Sequence, residues 1–439
     1  MAPRRPDKKS KKRAKAEALS RAAASSAPAT TTTEPEVSPL LLVRAAEAQL
    51  QEGDAEAALA LATRALERAT TSGGSGNSDK SNDESDEALA ALGLLGQASL
   101  ELGDLPAARR HYLRAATADP DGARAGAEKF LCLAQLSEEG GKDSVAWFEK
   151  GAAALKAQIQ SLEEEATTGR IRRGGATAEK EKEKEEEREE LKRKLAMTLC
   201  SVAEVYMTDL SWEGDAEARC EALVTEATLT APEVPETWQT LADVRISQGR
   251  ADDARAALAR GLDLWRGLPP ADPRVPDFPS RVALARLLME VAQERDALEV
   301  LERLVAEDDH SVETWYLGGW GLYVMGEKQR EQEDEEAGSG KGKSTTKVKN
   351  GAGTGETENG DGDEEEEDWK ASWISSRVWL NQCLHLYQLQ DYEDERLGEH
   401  ARELLAAIAK ELGEAPTDEG DDDEDGWEDA GDSDEEMQE

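Results

Sequence analysis

Apolar residues recur along this chain at the three- and four-residue spacing of a single helix face, with polar residues between them. The pattern is plainest over Glu236–Leu268. Trp238, Leu241 and Ala242 share a face, Gly249 breaks the run, and Ala254, Leu258 and Gly261 resume it. A large residue, a small residue, a turn, and a second helix whose small residues let the first approach closely describe one tetratricopeptide (TPR) unit. Ala254 lies one 34-residue period after Cys220, which holds the same place in the preceding unit.

The template recurs. Leu42, Ala45, Ala46, Gly53, Ala58, Ala62 and Ala65 form a first unit. Leu92, Leu95, Gly96, Gly103, Ala108, Tyr112 and Ala115 form a second, closed by Pro120, which has no N–H to donate. A weaker third reads Leu131, Cys132, Ser144, Phe148 and Gly151, its second helix running on through Leu155, Ile159 and Leu162. Leu199, Val202, Ala203 and Tyr206, then Cys220, Val224 and Ala227, form the fourth, with about five extra turn residues around Trp212. The fifth is the Glu236–Leu268 stretch. After a proline-rich link come Leu284, Ala285, Leu288, Ala297, Leu301 and Leu304, and a seventh unit opens with Trp315, Tyr316, Gly318, Gly319, Trp320 and Tyr323. The fold class is all-α: a TPR superhelical solenoid of about seven helix pairs, with disordered charged tails and inserts.

Residues 1–39 form a basic tail too poor in apolar surface to fold alone. The solenoid is expected over 40–326, with a loop at 70–86 and a charged insert at 163–194. Residues 327–368 read as a disordered acidic insert, 369–413 as helices completing and capping the solenoid, and 414–439 as a disordered acidic tail. In the insert, alternating charges at helical spacing support a solvated protrusion leading into the fourth unit.

Composition narrows the chemistry. The 439 residues carry a net charge of −42, so phosphate backbones are repelled and basic partners attracted. No direct nucleic-acid contact is expected. Cys132, Cys200, Cys220 and Cys383 are scattered, which fits buried thiols better than disulfides or zinc. No run approaches the ~20 apolar residues of a membrane helix. His111, His310, His385 and His400 stand in no catalytic motif and read as ordinary surface residues. No enzyme activity, cofactor or metal site is expected. Arg4, Arg5, Lys8, Lys9, Lys11, Lys12, Arg13 and Lys15 form a basic cluster that reads as a nuclear import signal, making importin a further partner. The other reading of the cluster is an arm that folds onto the acidic body or touches RNA.

Function is then expected in the groove, which the first helix of each TPR unit lines. The groove positions give Glu47, Glu101, Glu204, Glu236, Asp243, Glu290 and Glu313, with Lys129 and Arg286 the main basic residues among them. Tyr316, Trp320 and Tyr323 add aromatic surface. Carboxylates with aromatic faces suit Lys and Arg side chains, through charge pairing and cation–π contact. The plainer reading is solvated carboxylates and a core Trp320. A carboxylate clamp for an acidic peptide terminus is not expected, since Val43, Glu47, Gly93, Gln97, Lys129 and Leu133 hold the positions it needs.

The basic N-terminal cluster, the TPR array, the acidic excursion and the acidic tail together resemble the fungal TPR-containing dedicated assembly chaperones of ribosomal protein L-four. That large-subunit protein lines the exit tunnel with a long internal loop. The resemblance implies a monomer, shared between cytoplasm and nucleus, that captures the newly made basic protein, prevents its aggregation and escorts it to pre-ribosomes. An acidic histone chaperone and a TPR scaffold subunit of a larger complex are the alternatives.

Overall fold

A short helix–turn–helix grammar repeats through the molecule. The computed structural model describes residues 37–72, 84–171, 178–339 and 369–413, and among these it holds fifteen helices and no strand. The basic cluster Arg4–Lys15, the tail 414–439 and residues 340–368 lie outside the described residues. The chain forms two compact units, dividing after Pro276.

The first unit contains α1 (Pro39–Gln51), α2 (Ala55–Ser72), α3 (Asp86–Glu101), α4 (Leu105–Ala118), α5 (Glu128–Gln135), α6 (Gly141–Ile171), α7 (Ala178–Met207), α8 (Ala216–Thr230), α9 (Pro235–Ser247) and α10 (Ala251–Asp263). Each odd-numbered helix packs on the next, and first helices also touch across repeats, α1 on α3 and α7 on α9. The spacing explains this. Leu42, Ala46, Ala58, Ala62, Ala65, Leu92, Ala108, Ala203, Ala242, Ala254 and Leu258 are all fully buried. Small residues decide how close the helices come. A Cβ at Gly261 on α10 would stand 3.2 Å from the Trp238 Cβ and 3.3 Å from the Pro235 carbonyl oxygen on α9.

The turns repeat as well. Gly53, Gly103 and Gly249 each follow a first helix with φ of +83°, +76° and +71°, a conformation that costs side-chain-bearing residues. The next N–H folds back onto the helix each time: Asp54 onto the Gln49 carbonyl, Asp104 onto Ser99 and Arg250 onto Arg245. Asp54 and Asp104 then cap the second helix, accepting from the Ala57 and Ala107 N–H groups.

Within the charged stretch 163–194, the described residues 163–171 and 178–194 form the distal parts of α6 and α7, which have 31 and 30 residues against 8 to 18 for the other helices of this unit. Leu155 and Ile159 pack near Leu195 and Leu199 at the base of this pair. Farther out charge replaces packing: Lys184 bonds Glu165 at 2.5 Å across the two helices. Residues 178–194 are thus continuous with the fourth unit's first helix.

The second unit contains α11 (Phe278–Glu290), α12 (Glu294–Glu307), α13 (Val312–Ser339), α14 (Trp369–Leu389) and α15 (Glu395–Leu412). Leu284, Ala285, Leu288, Ala297, Leu301 and Leu304 are buried as their spacing requires. Ala292 takes the place of the turn glycine at φ +62°, and the Gln293 N–H returns to the Leu288 carbonyl. α13 runs on to Ser339, past the boundary expected at 327, because Glu and Gln residues continue a helix readily. α14 packs along α13, burying Trp373 and Leu380, and α15 covers both with Ala401, Leu404 and Ile408.

Candidate binding face

Three of the expected groove acids converge on one face of the first unit. α7 carries Cys200 and Glu204 one turn apart. α9 carries Glu236, Thr240 and Asp243 at the spacing of one helix stripe. The Thr240 side chain lies against the buried Cys200 sulfur, which joins the two stripes. Surrounding protein and the Asp243 carboxylate push the Glu204 carboxyl above the usual carboxylate range, although the side chain still reaches water. Burial, with Glu204 and Glu236 adding repulsion, pushes the Cys200 thiol up to about 12. Burial thus disfavours its thiolate form.

Two arginines of α9 and its following turn meet α8. Arg245, two residues after Asp243, bonds Glu221 of α8 at 2.5 Å, and Arg250 lies 3.7 Å from the same carboxylate. Held by Arg245 and Gln248, the Glu221 carboxyl falls to about 2. Glu47 on α1 and Glu101 at the end of α3 are exposed on first helices of their own repeats.

Lys129 does not interleave with these acids. Its ammonium is buried and donates to Asp119 Oδ2 at 2.8 Å and to the Gly126 carbonyl at 2.7 Å. It clamps the link between α4 and α5 instead of lining a groove. The reason lies in the chain itself, since Asp119 ends α4 and its carboxylate needs a cation once the link folds over it.

In the second unit Glu290 is exposed at the end of α11, while Glu313 of α13 is half-buried and paired with Arg286 of α11. The aromatic surface expected there is largely spent on packing. Tyr316 donates to or accepts from His400 Nδ1 at 2.8 Å and stacks near Trp320, and Tyr323 stacks on Trp373 at 5.1 Å, only 4° from parallel. All three rings are half-buried against α14 and α15. His400 is therefore a packed partner and not an ordinary surface residue. A cleft of about 350 Å³ remains beside Tyr316, lined also by Arg286, Glu313, Tyr392, Asp394 and His400. It carries both signs of charge.

Among the described residues, Asp308, Asp309 and His310 place ligand-type atoms within 4.8 Å of one another on an exposed turn. His310 Nδ1 already meets Asp309 at 2.6 Å. Cys200, Cys220 and Cys383 are buried, Cys132 is half-buried, and all four are free.

No family model matches the chain. A protein of Emericella nidulans described as a probable assembly chaperone of rpl4 is 44% identical over 329 residues, 73% of this chain and 71% of that protein. The chain belongs to the family of rpl4 assembly chaperones. A second member, the probable assembly chaperone of rpl4 of Schizosaccharomyces pombe, is 31% identical over 240 residues, 54% of this chain and 64% of its own length. A solved structure of residues 1–338 of the assembly chaperone of RpL4, Acl4, is 53% identical with a TM-score of 0.61. It is matched over its whole length and covers 68% of this chain.

Membership in the rpl4 assembly-chaperone family and the helical-repeat fold fit a non-enzymatic role. Sequence reasoning missed that Cys200 and Thr240 bring the acid stripes together. A small polar residue on each of two adjacent first helices was the available signal. It also missed the Trp212 turn as surface, although the extra turn residues were visible.

Proposed function

We propose that this chain is a dedicated chaperone of the basic ribosomal protein rpl4, held on the acidic face of its TPR repeats. The observation that carries the reading is the convergence of Glu204, Glu236 and Asp243 on one face. Like-charged groups forced together this way gain from a partner's cation, and a long basic loop offers several. The names of the relatives supply the client. In this reading Glu47 and Glu101 extend the acidic path along earlier repeats of the first unit.

The chaperone works as a monomer and without catalysis or direct contact with nucleic acid. It keeps the newly made protein from aggregating, moves between cytoplasm and nucleus, and releases its client at pre-ribosomes. Importin recognises the basic cluster Arg4–Lys15. Family membership favours this reading over the histone chaperone and the scaffold subunit.

The test is titration of purified rpl4 into the full chain and into a variant combining Glu204→Lys with Asp243→Lys. At least tenfold weaker binding by the variant is expected. Equal affinities would remove the face from the reading, and capture of histones but not rpl4 would replace it.

A further inference from the structure

Trp212 is 73% exposed, yet it is not loosely held. It sits in the lengthened turn between α7 and α8, and its indole N–H donates to the Asp209 carbonyl at 3.0 Å. The turn is itself braced from the preceding repeat. Asp209 Oδ2 accepts the Gly141 N–H at 3.1 Å, and Lys142 bonds Glu213 at 2.5 Å. Between these two turns lies a cleft of about 490 Å³, lined by Glu139, Gly141, Lys142, Asp209, Leu210 and Trp212.

Carboxylates outnumber cations around the cleft, although Arg109 lies 3.9 Å from Glu138 and Arg219 3.3 Å from Asp215. Residues 137–143 and 208–217 carry seven carboxylates and a single lysine, which is paired with Glu213 and lies 5.7 Å from the Trp212 ring centre, while leaving Trp212 73% exposed. A fixed indole face beside surplus carboxylates suits a guanidinium, which stacks flat on the ring while its N–H fork meets an acid. An ammonium has no plane to stack. The position matters equally. α7 carries Glu204 in its last turn, and Asp209, which lines the cleft, follows five residues later in the chain.

We propose that the Trp212 turn is a second docking site, where an arginine-bearing segment of the client leaving the acidic face is held. The inference rests on the reading of that face as the rpl4 site. Trp212 supplies the stacking surface and Glu139 and Asp209 the negative charge. The turn lies outside the helix stripes that a groove reading of TPR repeats considers.

The experiment measures the affinity of the full chain for purified rpl4 in the wild type, Trp212→Ala and Glu139→Lys. Both side chains are exposed, and unchanged helical circular dichroism and melting would establish that the variants fold. About tenfold weaker binding by each variant is expected. A change under threefold in either overturns the site. Absence of rpl4 binding by the wild type would overturn the reading of the acidic face and this inference with it. Wild-type binding with Trp212→Ala unchanged overturns this inference alone.

Discussion

Lys129 Nζ lies 2.8 Å from Asp119 Oδ2, with the two side chains 3% and 4% exposed. Burial would raise the Asp119 carboxyl, but the ammonium and the N–H groups of Ala125 and Arg124 hold it below the usual carboxylate range. This is a staple in the link between the second and third repeats. Lys129→Ala leaves a buried carboxylate without its cation and should cost about 3–5 kcal/mol. Urea unfolding followed by circular dichroism measures it. A cost below about 1 kcal/mol would mean that the link opens and admits water.

Ala292 holds the turn position that Gly53, Gly103 and Gly249 hold in other repeats, at φ +62°. Ala292→Gly relieves a left-handed conformation that a Cβ disfavours by about 1 kcal/mol. The variant should melt higher than the wild type. A lower melting temperature would show that unfolded-chain entropy outweighs the relief.

Gly261 meets Trp238 so closely that a larger residue must part α9 from α10. Gly261→Val should destabilise the fold by about 1–3 kcal/mol through overpacking. Differential scanning calorimetry would reveal it, and an unchanged transition would show that the two helices separate freely.

Glu204 links stability to pH. Its folded carboxyl titrates above the unfolded one, so the charged form is disfavoured by folding. The penalty is absent below the unfolded value, grows as pH rises toward the raised folded value, and is complete above it. Glu204→Gln should therefore unfold at higher urea than the wild type at pH 7, and the advantage should vanish as pH falls to about 4. On the proposed reading, a client cation would lower the same carboxyl on binding. Affinity for rpl4 should accordingly drop as pH falls through the raised value, and less so in the variant. Calorimetric titration at several pH values checks both the affinity and the proton release.

Glu221 behaves in the opposite sense. Arg245 and Gln248 depress its carboxyl to about 2, so the stability it lends is present above about 4.5 and is lost as pH falls toward 2. The carboxylate is 42% exposed and water screens the pair, so Glu221→Gln should cost under about 1 kcal/mol at pH 7 and almost nothing at pH 2. Equal losses at both pH values would assign the effect to packing of the side chain.

Helix pairs, turn glycines and the inward small residues are local features, and the sequence alone determined them. A helix face repeats every few residues, and a left-handed turn asks for glycine whatever surrounds it. The acids on first helices were legible for the same reason, because Glu236, Thr240 and Asp243 share a stripe by spacing alone. Only the tertiary structure decided which stripes meet. It joined α7 to α9 through Cys200 and Thr240, turned Arg245 toward Glu221, sank Lys129 onto Asp119, and covered Tyr316, Trp320 and Tyr323 with α14 and α15. Those outcomes depend on contacts between residues ten or more positions apart. A charge or ring on a helix face is drawn to whichever partner the packing of the next repeat supplies.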